Sequence, residues 1–511
     1  MANWSEGYIS DIDYTYGYYS ELSPNNVKVP FLMSGLEVPK ITTACELGFG
    51  QGLSINAHSA ASDIEWYGTD FNPSQASFAK ELADISGSNA HIYDQSFSEF
   101  CSRDDLPDFD FIGLHGIWSW VSNENRSIIS DFIRRKLKVG GVLYISYNTL
   151  PGWAAASPIR HMLTEHDHMH GSRGKSISRR VEDSIKFTQE LLKLSQPLVQ
   201  QVPSIPQRLE NISKQNPNYL AHEYFNRDWQ PMYFSELADW LSPTKTSFAC
   251  SASFLEDYSP CNYTSEQSEF LKNIDDPMFK QSIKDYMNNK QFRRDYWVKG
   301  ARKISSAKLE RTWHQLRFML ITNHQDIKYE INGALGNVSL NQDIYKQIID
   351  LLSDYQVHQI ADLQQKLPDS FKQNWLFESL AILQSQGAIV LVQDDDVIKE
   401  VKEKCDKLNA YVMQQSLVST ELAALVSPLT GTALPFGRFP LIFLHAYIQG
   451  KKKQADLVDY AWQALKKKNQ LLLKDGNTLQ KEKDNIEELN RMVESFEKHT
   501  LPLAKRLKIV E

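Results

Sequence analysis

The sequence predicts an α/β fold, with a doubly wound parallel sheet within residues 1–160 and mostly helical regions after it. Short apolar strands alternate with helical segments along this part of the chain, which is typical of parallel strands joined by crossover helices. Successive strands also end in a glycine turn or an acidic residue. Because the carboxyl ends of parallel strands line one crevice, these polar strand ends are expected to form a single site.

The first strand ends in Glu46 and leads into three alternating glycines, Gly48, Gly50 and Gly52. Glycine lets the backbone approach a ligand without a Cβ clash, and a helix that begins near Leu53 offers its N-terminal amides. A dinucleotide fingerprint requires G-x-G-x-x-G, but Leu53 stands where the third glycine would be needed. The pattern therefore indicates a nucleoside site and disfavours NAD.

The next strands bring further polar groups to the same edge. Asp70 closes the second strand about 20 residues after the glycines, where a carboxylate can accept hydrogen bonds from both ribose hydroxyls. Asp94 follows the third strand, and His115 with Gly116 follows the fourth. A glycine turn then precedes a fifth strand, which contains Tyr147.

An acid followed by G-x-G-x-G is the first motif of class I S-adenosylmethionine (AdoMet) methyltransferases, which this region resembles. The resemblance implies that AdoMet is the cofactor and that Asp70 binds its ribose. It also implies that Asp94 accepts a hydrogen bond from the adenine amino group while Phe97 packs on the ring. The implied cofactor-binding residues are Glu46, Gly48, Gly50, Gly52, Asp70, Asp94, Phe97 and His115.

Segments farther along the chain resemble the methyltransferase regulatory domain. This module occurs in a bacterial family that includes the rickettsial outer-membrane-protein lysine methyltransferases. The resemblance covers roughly residues 5 to 300, and it implies methyl transfer to lysine side chains of an outer-membrane or surface protein. Two alternatives stay open, namely methylation of a small molecule or surface glycan, and a non-catalytic AdoMet-binding regulator or scaffold. The segments that carry the resemblance are 14–22, 147–153, 219–225, 231–237 and 290–295.

Methyl transfer to an amine requires an unprotonated nucleophile that is held near the methyl group and shielded from water. Aromatic side chains can supply such walls and can stabilise a sulfonium or ammonium. We therefore expect catalytic roles for Tyr16, Tyr18, Trp118 and Tyr147, although the tyrosine-rich arm 14–19 can equally be a packed element that covers the sheet. The sequence identifies no general base.

We divide the chain into four regions. After the first comes a helical and regulatory domain, in which we interpret His166, His168 and His170 as a solvated loop rather than a metal site. The third resembles a winged helix, and Asp394, Asp395 and Asp396 beside its wing favour protein contact over DNA. The last presents an apolar helical face that serves packing or a homodimer. The regions are 1–160, 161–330, 331–400 and 401–511.

Composition is that of a soluble enzyme. The formal net charge is -8 and no long basic stripe occurs in the first 300 residues, so nucleic acid is not an expected partner. No run approaches the ~20 apolar residues of a membrane helix. The first residues do not form a signal peptide, and we therefore expect a cytoplasmic location. The 5 cysteines are scattered and lack a C-x-x-C pair, which indicates reduced thiols and no structural zinc site.

Overall fold

The computed structural model describes residues 16–172 and 174–511. Tyr14 and Thr15 of the predicted aromatic arm lie outside these residues. Within the described part of the chain, no helix combines the length and the hydropathy needed to cross a bilayer.

A seven-stranded sheet lies at the centre of the N-terminal half. Its strands are β1 (Thr43–Leu47), β2 (Glu65–Thr69), β3 (Ala90–Tyr93), β4 (Phe109–Leu114), β5 (Leu137–Asn148), β6 (Thr246–Ser251) and β7 (Phe292–Lys299). They are ordered β3-β2-β1-β4-β5-β7-β6 across the sheet. Strands β1 to β5 are parallel, whereas β7 runs antiparallel to both β5 and β6. The predicted doubly wound sheet is confirmed, and its last two strands come from the region predicted as a separate regulatory domain.

Six α-helices accompany the first five strands. They are α1 (Lys28–Met33), α2 (Leu53–Ala61), α3 (Pro73–Ser86), α4 (Phe97–Cys101), α5 (Asn123–Lys136) and α6 (Leu150–Trp153). Helix α3 shows how capping residues determine where a helix begins and ends. The side chain of Asn72 accepts a hydrogen bond from the amide of Ser74 at 3.0 Å and caps α3, which ends at Gly87 in the left-handed conformation (φ 64°).

The next region is helical, as predicted. Its helices are α7 (Ser157–His170), α8 (Ile177–Leu194), α9 (Gln196–Gln201), α10 (Ser204–Ser213) and α11 (Pro217–Tyr224). The prediction of a histidine-rich loop is wrong, because His166, His168 and His170 belong to α7. Leu163 of the same helix packs into the core, and His166 Nδ1 is hydrogen-bonded to Ser184 Oγ at 3.0 Å, so the helix continues through the histidines.

Six further helices surround β6 and β7. These are α12 (Phe234–Leu241), α13 (Phe254–Asp257), α14 (Ser259–Asn262), α15 (Ser265–Lys272), α16 (Pro277–Met287) and α17 (Ser306–Gln315). Arg293 of β7 joins α16 to the sheet, since its guanidinium donates to Asp285 Oδ1 of that helix at 2.6 Å. It also donates to Asp295 Oδ2 of its own strand at 2.8 Å.

A small three-helix module follows. It contains β8 (Arg317–Leu320), β9 (Glu330–Gly333), β10 (Gly336–Ser339), α18 (Gln342–Leu352), β11 (His358–Gln359), α19 (Ile360–Lys366), α20 (Gln373–Ser385) and β12 (Ile389–Leu391). Strand β8 pairs antiparallel with both β11 and β12. The expected order of three helices and a ribbon is present, but the central strand comes from residues before 331.

The last region is mostly helical. It comprises α21 (Asp395–Gln415), β13 (Ala424–Ser427), β14 (Thr432–Pro435), α22 (Arg438–Ile448), α23 (Gln454–Lys467), β15 (Leu473–Lys474), β16 (Asn477–Thr478), α24 (Glu482–Ser495) and α25 (Leu501–Arg506). On the predicted apolar face, Leu489, Val493 and Phe496 are buried in one core with Phe443. This face therefore packs within the chain.

The C-terminal region packs directly on the first domain. Val401 and Cys405 of α21 share a buried apolar cluster with Ala57 and Ala61 of α2. Gln393 adds a polar link, because its Nε2 donates to the carbonyl of Ala61 at 2.8 Å. The two regions are consequently one packed unit.

Tyr18 connects the N-terminal segment to this interface. Its hydroxyl accepts a hydrogen bond from the amide of Ala433 at 3.0 Å, and its ring lies against His58 with centroids 5.3 Å apart. We expect Tyr18→Phe to lower the free energy of unfolding by about 1 to 3 kcal/mol, because the buried Ala433 amide loses its acceptor. Urea unfolding measures this change.

Tyr93→Phe is the matched control, since it also removes one hydroxyl from a half-buried ring that packs on Phe100. It should change stability by less than about 0.5 kcal/mol, the usual range for substitutions away from buried hydrogen bonds. Equal stability of the Tyr18→Phe variant and the wild type would show that the Ala433 bond contributes nothing.

Candidate functional site

A cleft opens at the carboxyl edge of the sheet, where the loops after the first four strands meet α11. It holds about 1260 Å³ of empty space, counted to its open mouth. This is the edge at which ligands bind in open α/β sheets. The predicted cofactor residues that line it are Glu46, Gly48, Gly50, Asp70, Phe97 and His115.

The glycine turn after β1 forms one wall. Gly48, Gly50 and Gly52 have φ values of 75°, 57° and 72°, a conformation that strains other residues. Gly48 and Gly50 line the cleft, but Gly52 does not. Gly52 instead precedes α2, where an added Cβ would lie 2.4 Å from the Cβ of Ala79, so its role is close packing of α2 on α3.

Asp70, at the end of β2, ties two loops together. Its Oδ2 accepts from the amide of Gly50 at 2.9 Å, and its Oδ1 accepts from the amide of Asn72 at 3.0 Å. Burial raises the pKa of Asp70 to about 6, although both amides favour the charged form. Each carboxylate oxygen can still accept another hydrogen bond, so the side chain can hold the loops and a ligand hydroxyl together.

Glu46 is a buried acid with an open hydrogen-bonding position. Its side chain is 3% exposed, and its Oε2 has no hydrogen-bond partner among the described residues. Burial raises the pKa of Glu46 well above its usual range, and nearby Asp70 raises it further. Buried polar atoms are almost always satisfied, so this oxygen is available to a water or a ligand in the cleft.

His115 lies between two tyrosine rings. Its ring stacks on Tyr19 with centroids 3.7 Å apart, and its Nδ1 is hydrogen-bonded to the hydroxyl of Tyr144 at 2.8 Å. Burial lowers the pKa of His115 to about 4, so the imidazole is neutral at physiological pH. It offers the cleft a flat, uncharged surface.

After β3, the residues that line the cleft begin one position later than predicted. Asp94 is exposed and lies outside the lining of the cleft, whereas Gln95, Ser96 and Phe97 line it. Ser96 caps α4, with its backbone amide donating to Glu99 Oε2 at 2.9 Å. Gln95 and Ser96, an amide and a hydroxyl residue, therefore line the cleft next to the position where a carboxylate was predicted.

Two of the predicted catalytic aromatics are core residues. Trp118 is fully buried, and its Nε1 donates to the sulfur of Met232 at 3.2 Å. Tyr147 is 1% exposed, and its hydroxyl donates to Asp295 Oδ2 at 3.1 Å. Neither lines the cleft, but Trp120, two residues after Trp118, does.

The other two, Tyr16 and Tyr18, also lie outside the lining of the cleft. Residues 16–19 contain no helix, and only alternate residues of this segment line the cleft. Gly17 and Tyr19 line the cleft, whereas Tyr16 packs on Phe78 with centroids 5.4 Å apart and Tyr18 meets Ala433. An alternating pattern along the arm could have separated the residues that line the cleft from those that pack elsewhere.

Helix α11 and the loop after it supply residues that the sequence did not identify individually. His222, Glu223, Asn226 and Asp228 all line the cleft. His222 and Asn226 are four residues apart, and the Asn226 side chain donates to the carbonyl of His222 at 2.7 Å, which extends the end of the helix. The adjacent pair His222 and Glu223, within the otherwise aromatic and apolar 219–225 segment, was the available signal.

The charged lining of the cleft has one sign. Its ionisable carboxylates are Glu46, Asp70, Glu223 and Asp228, and no lysine or arginine of the described chain lines it. Burial raises the pKa of Glu223 to about 7. An acidic, partly buried cleft of this kind favours cationic ligands.

Comparison with known proteins places the chain in a family. A family model described as a predicted methyltransferase regulatory domain matches residues 216–299, from α11 to the end of β7. The uncharacterized protein sll1526 of Synechocystis sp. is 36% identical over 512 residues, which cover 99% of this chain and 99% of that protein. The uncharacterized protein RP789 of Rickettsia prowazekii is 26% identical over 287 residues, covering 54% of this chain and 49% of that protein.

A solved structure has the same fold. PKMT2 from Rickettsia typhi, determined in complex with AdoHcy, superposes with a TM-score of 0.68 at 17% identity, covering 94% of this chain and 98% of that chain. The chain therefore belongs to the same family as the Synechocystis protein, and it combines a class I, Rossmann-like methyltransferase fold with a methyltransferase regulatory domain.

Proposed function

We propose that the protein is a cytoplasmic, AdoMet-dependent methyltransferase that methylates lysine side chains of a protein acceptor. The observation that carries this proposal is the cleft, where a glycine turn and two buried acids, Glu46 and Asp70, meet at the strand ends. The PKMT2 structure, which has the same fold, contains AdoHcy, the product that AdoMet becomes after methyl transfer.

The residues of the cleft fit AdoMet, whose sulfonium carries the methyl group to be transferred. Asp70 would accept from the ribose hydroxyls while keeping its bonds to the two loop amides. Gly48 and Gly50 would let the backbone come close, and Phe97 would pack on the adenine. Glu46 would accept a hydrogen bond at its open Oε2.

A lysine acceptor is supported by charge and by family resemblance. The acidic lining favours an amine that arrives as an ammonium ion. The sequence motifs of the regulatory domain resemble those of the rickettsial outer-membrane-protein lysine methyltransferases. Methylation of a small molecule or glycan is the second candidate, and it shares the same cleft chemistry.

Asp70→Ala tests the cofactor site. We expect this variant to bind AdoHcy about 5- to 150-fold more weakly, because removing the carboxylate leaves buried polar groups unpaired at a cost of about 1 to 3 kcal/mol. Isothermal titration calorimetry with AdoHcy measures the change. Asp70→Asn keeps one acceptor oxygen and should fall between Asp70→Ala and the wild type.

Asp94→Ala is the matched control, since it removes an exposed carboxylate from the next strand end. Its affinity for AdoHcy should equal that of the wild type. A larger loss in Asp94→Ala than in Asp70→Ala would reverse the assignment of the two acids.

Methyl transfer itself is tested with radiolabelled AdoMet and a cell lysate that is afterwards separated into protein and non-protein fractions. We expect label in protein, on lysine side chains after hydrolysis. Label in the non-protein fraction alone would favour the small-molecule or glycan acceptor. Binding of AdoHcy without any transfer would favour a regulator or scaffold.

A further inference from the structure

Glu223 is a cleft carboxylate that the cofactor assignment leaves without a role. We propose that Glu223 receives the ammonium of the acceptor and takes its proton, so that the amine becomes a nucleophile. This inference rests on the proposed transfer to an amine.

The other three acids of the cleft are already committed. Asp70 bonds to two amides, and the open Oε2 of Glu46 is assigned to the cofactor. Asp228 forms an ion pair with Arg227, whose Nη2 is 2.8 Å from Asp228 Oδ2. Glu223 alone enters the cleft from a helix of the regulatory domain, with no ion pair among the described residues.

The fold holds α11 firmly around this side chain. Tyr224, the next residue, is buried, and its ring contacts Trp153 with centroids 6.3 Å apart. The guanidinium of Arg160 donates to the carbonyl of Asn226 at 2.6 Å and lies over the ring of Trp229 at 4.5 Å. These contacts anchor the chain immediately after Glu223, so the end of α11 that carries this residue is held at the cleft.

The surroundings also set when the carboxylate is charged. Burial raises the pKa of Glu223 to about 7, so that near neutral pH it can exist both with and without a proton. The titratable and charged groups around it are Tyr19, His115, Tyr219, His222, Tyr224 and Asp228, with Arg160 and Arg208 beyond Tyr224. No cation among them contacts Glu223 directly in the described chain, so an arriving ammonium would be its first positive partner.

The proton step balances without another reactant. The ammonium nitrogen gives one proton to a carboxylate oxygen of Glu223, and the freed electron pair stays on nitrogen. The amine would then attack the methyl carbon, so that a carbon–nitrogen bond forms as the methyl–sulfur bond of the cofactor breaks and its electron pair stays on sulfur. The positive charge would pass from sulfur to the methylated nitrogen, AdoHcy would leave, and Glu223 would return its proton to water before the next acceptor binds. A buried carboxylate suits this exchange, because proton transfer from the ammonium converts a buried ion pair into two neutral groups.

The test is the pH dependence of Glu223→Gln and Glu223→Asp. For the wild type, single-turnover transfer into lysate protein should fall as pH drops below about 7, because the protonated carboxyl cannot accept a proton. Glu223→Gln should slow transfer by about 100-fold or more and lose this dependence. Glu223→Asp should restore part of the rate, and affinity for AdoHcy should be unchanged in both variants.

Infrared difference spectroscopy of the free enzyme provides a second readout that does not require transfer. Wild type minus Glu223→Gln should show one carboxyl that titrates near pH 7, and n-butylammonium chloride should lower that pKa while 1-butanol does not. Glu210→Gln, on an exposed acid paired with Lys214 outside the cleft, is the control for both measurements.

Two results would overturn the proposal: transfer by Glu223→Gln at the wild-type rate and pH profile, or a carboxyl that does not respond to butylammonium. Failure of the wild type to transfer methyl groups would instead refute the proposed function, and the infrared titration would still report on Glu223.

Discussion

The carboxylate of Asp70 is the interaction on which the cleft depends. One oxygen holds the turn after β1 and the other holds the turn after β2. Without it, two backbone amides at the edge of the sheet would lack partners, and the glycine turn would lose the hydrogen bond that joins it to the end of β2. The same residue that would bind a ribose thus also builds the surface on which the ribose would lie.

Three distant parts of the chain then complete the site. The N-terminal segment contributes Gly17 and Tyr19, the strand ends contribute the glycine turn and acids, and α11 contributes the far wall. Because α11 belongs to the region matched by the regulatory-domain model, that region is a structural part of the cleft. Regulation through this domain would require no long-range signal, since a small movement of α11 changes the cleft directly.

Most residues predicted from strand ends line the cleft, with Asp94 as an exception, whereas the residues chosen for their chemical type do not. Glu46, Gly48, Gly50 and Asp70 line the cleft because parallel strands bring their carboxyl ends to one edge. Trp118 and Tyr147 were selected as aromatic residues, but residue type does not indicate which way a side chain points. Likewise, the sequence contains polar residues in 219–225, yet only the tertiary path of the chain brings Glu223 opposite the strand ends.

The position of β7 in the sheet has a consequence for folding. Strand β5 pairs with β7 along seven residue pairs, although about 150 residues separate them in the chain. During synthesis, the first five strands therefore emerge with an open β5 edge, whose Tyr144 and Ile145 are fully buried in the finished sheet. Such an edge readily pairs with other chains. Nascent chains that end before Phe292 expose this edge, so completion of the sheet, and with it protection from aggregation, waits for the regulatory region to be made.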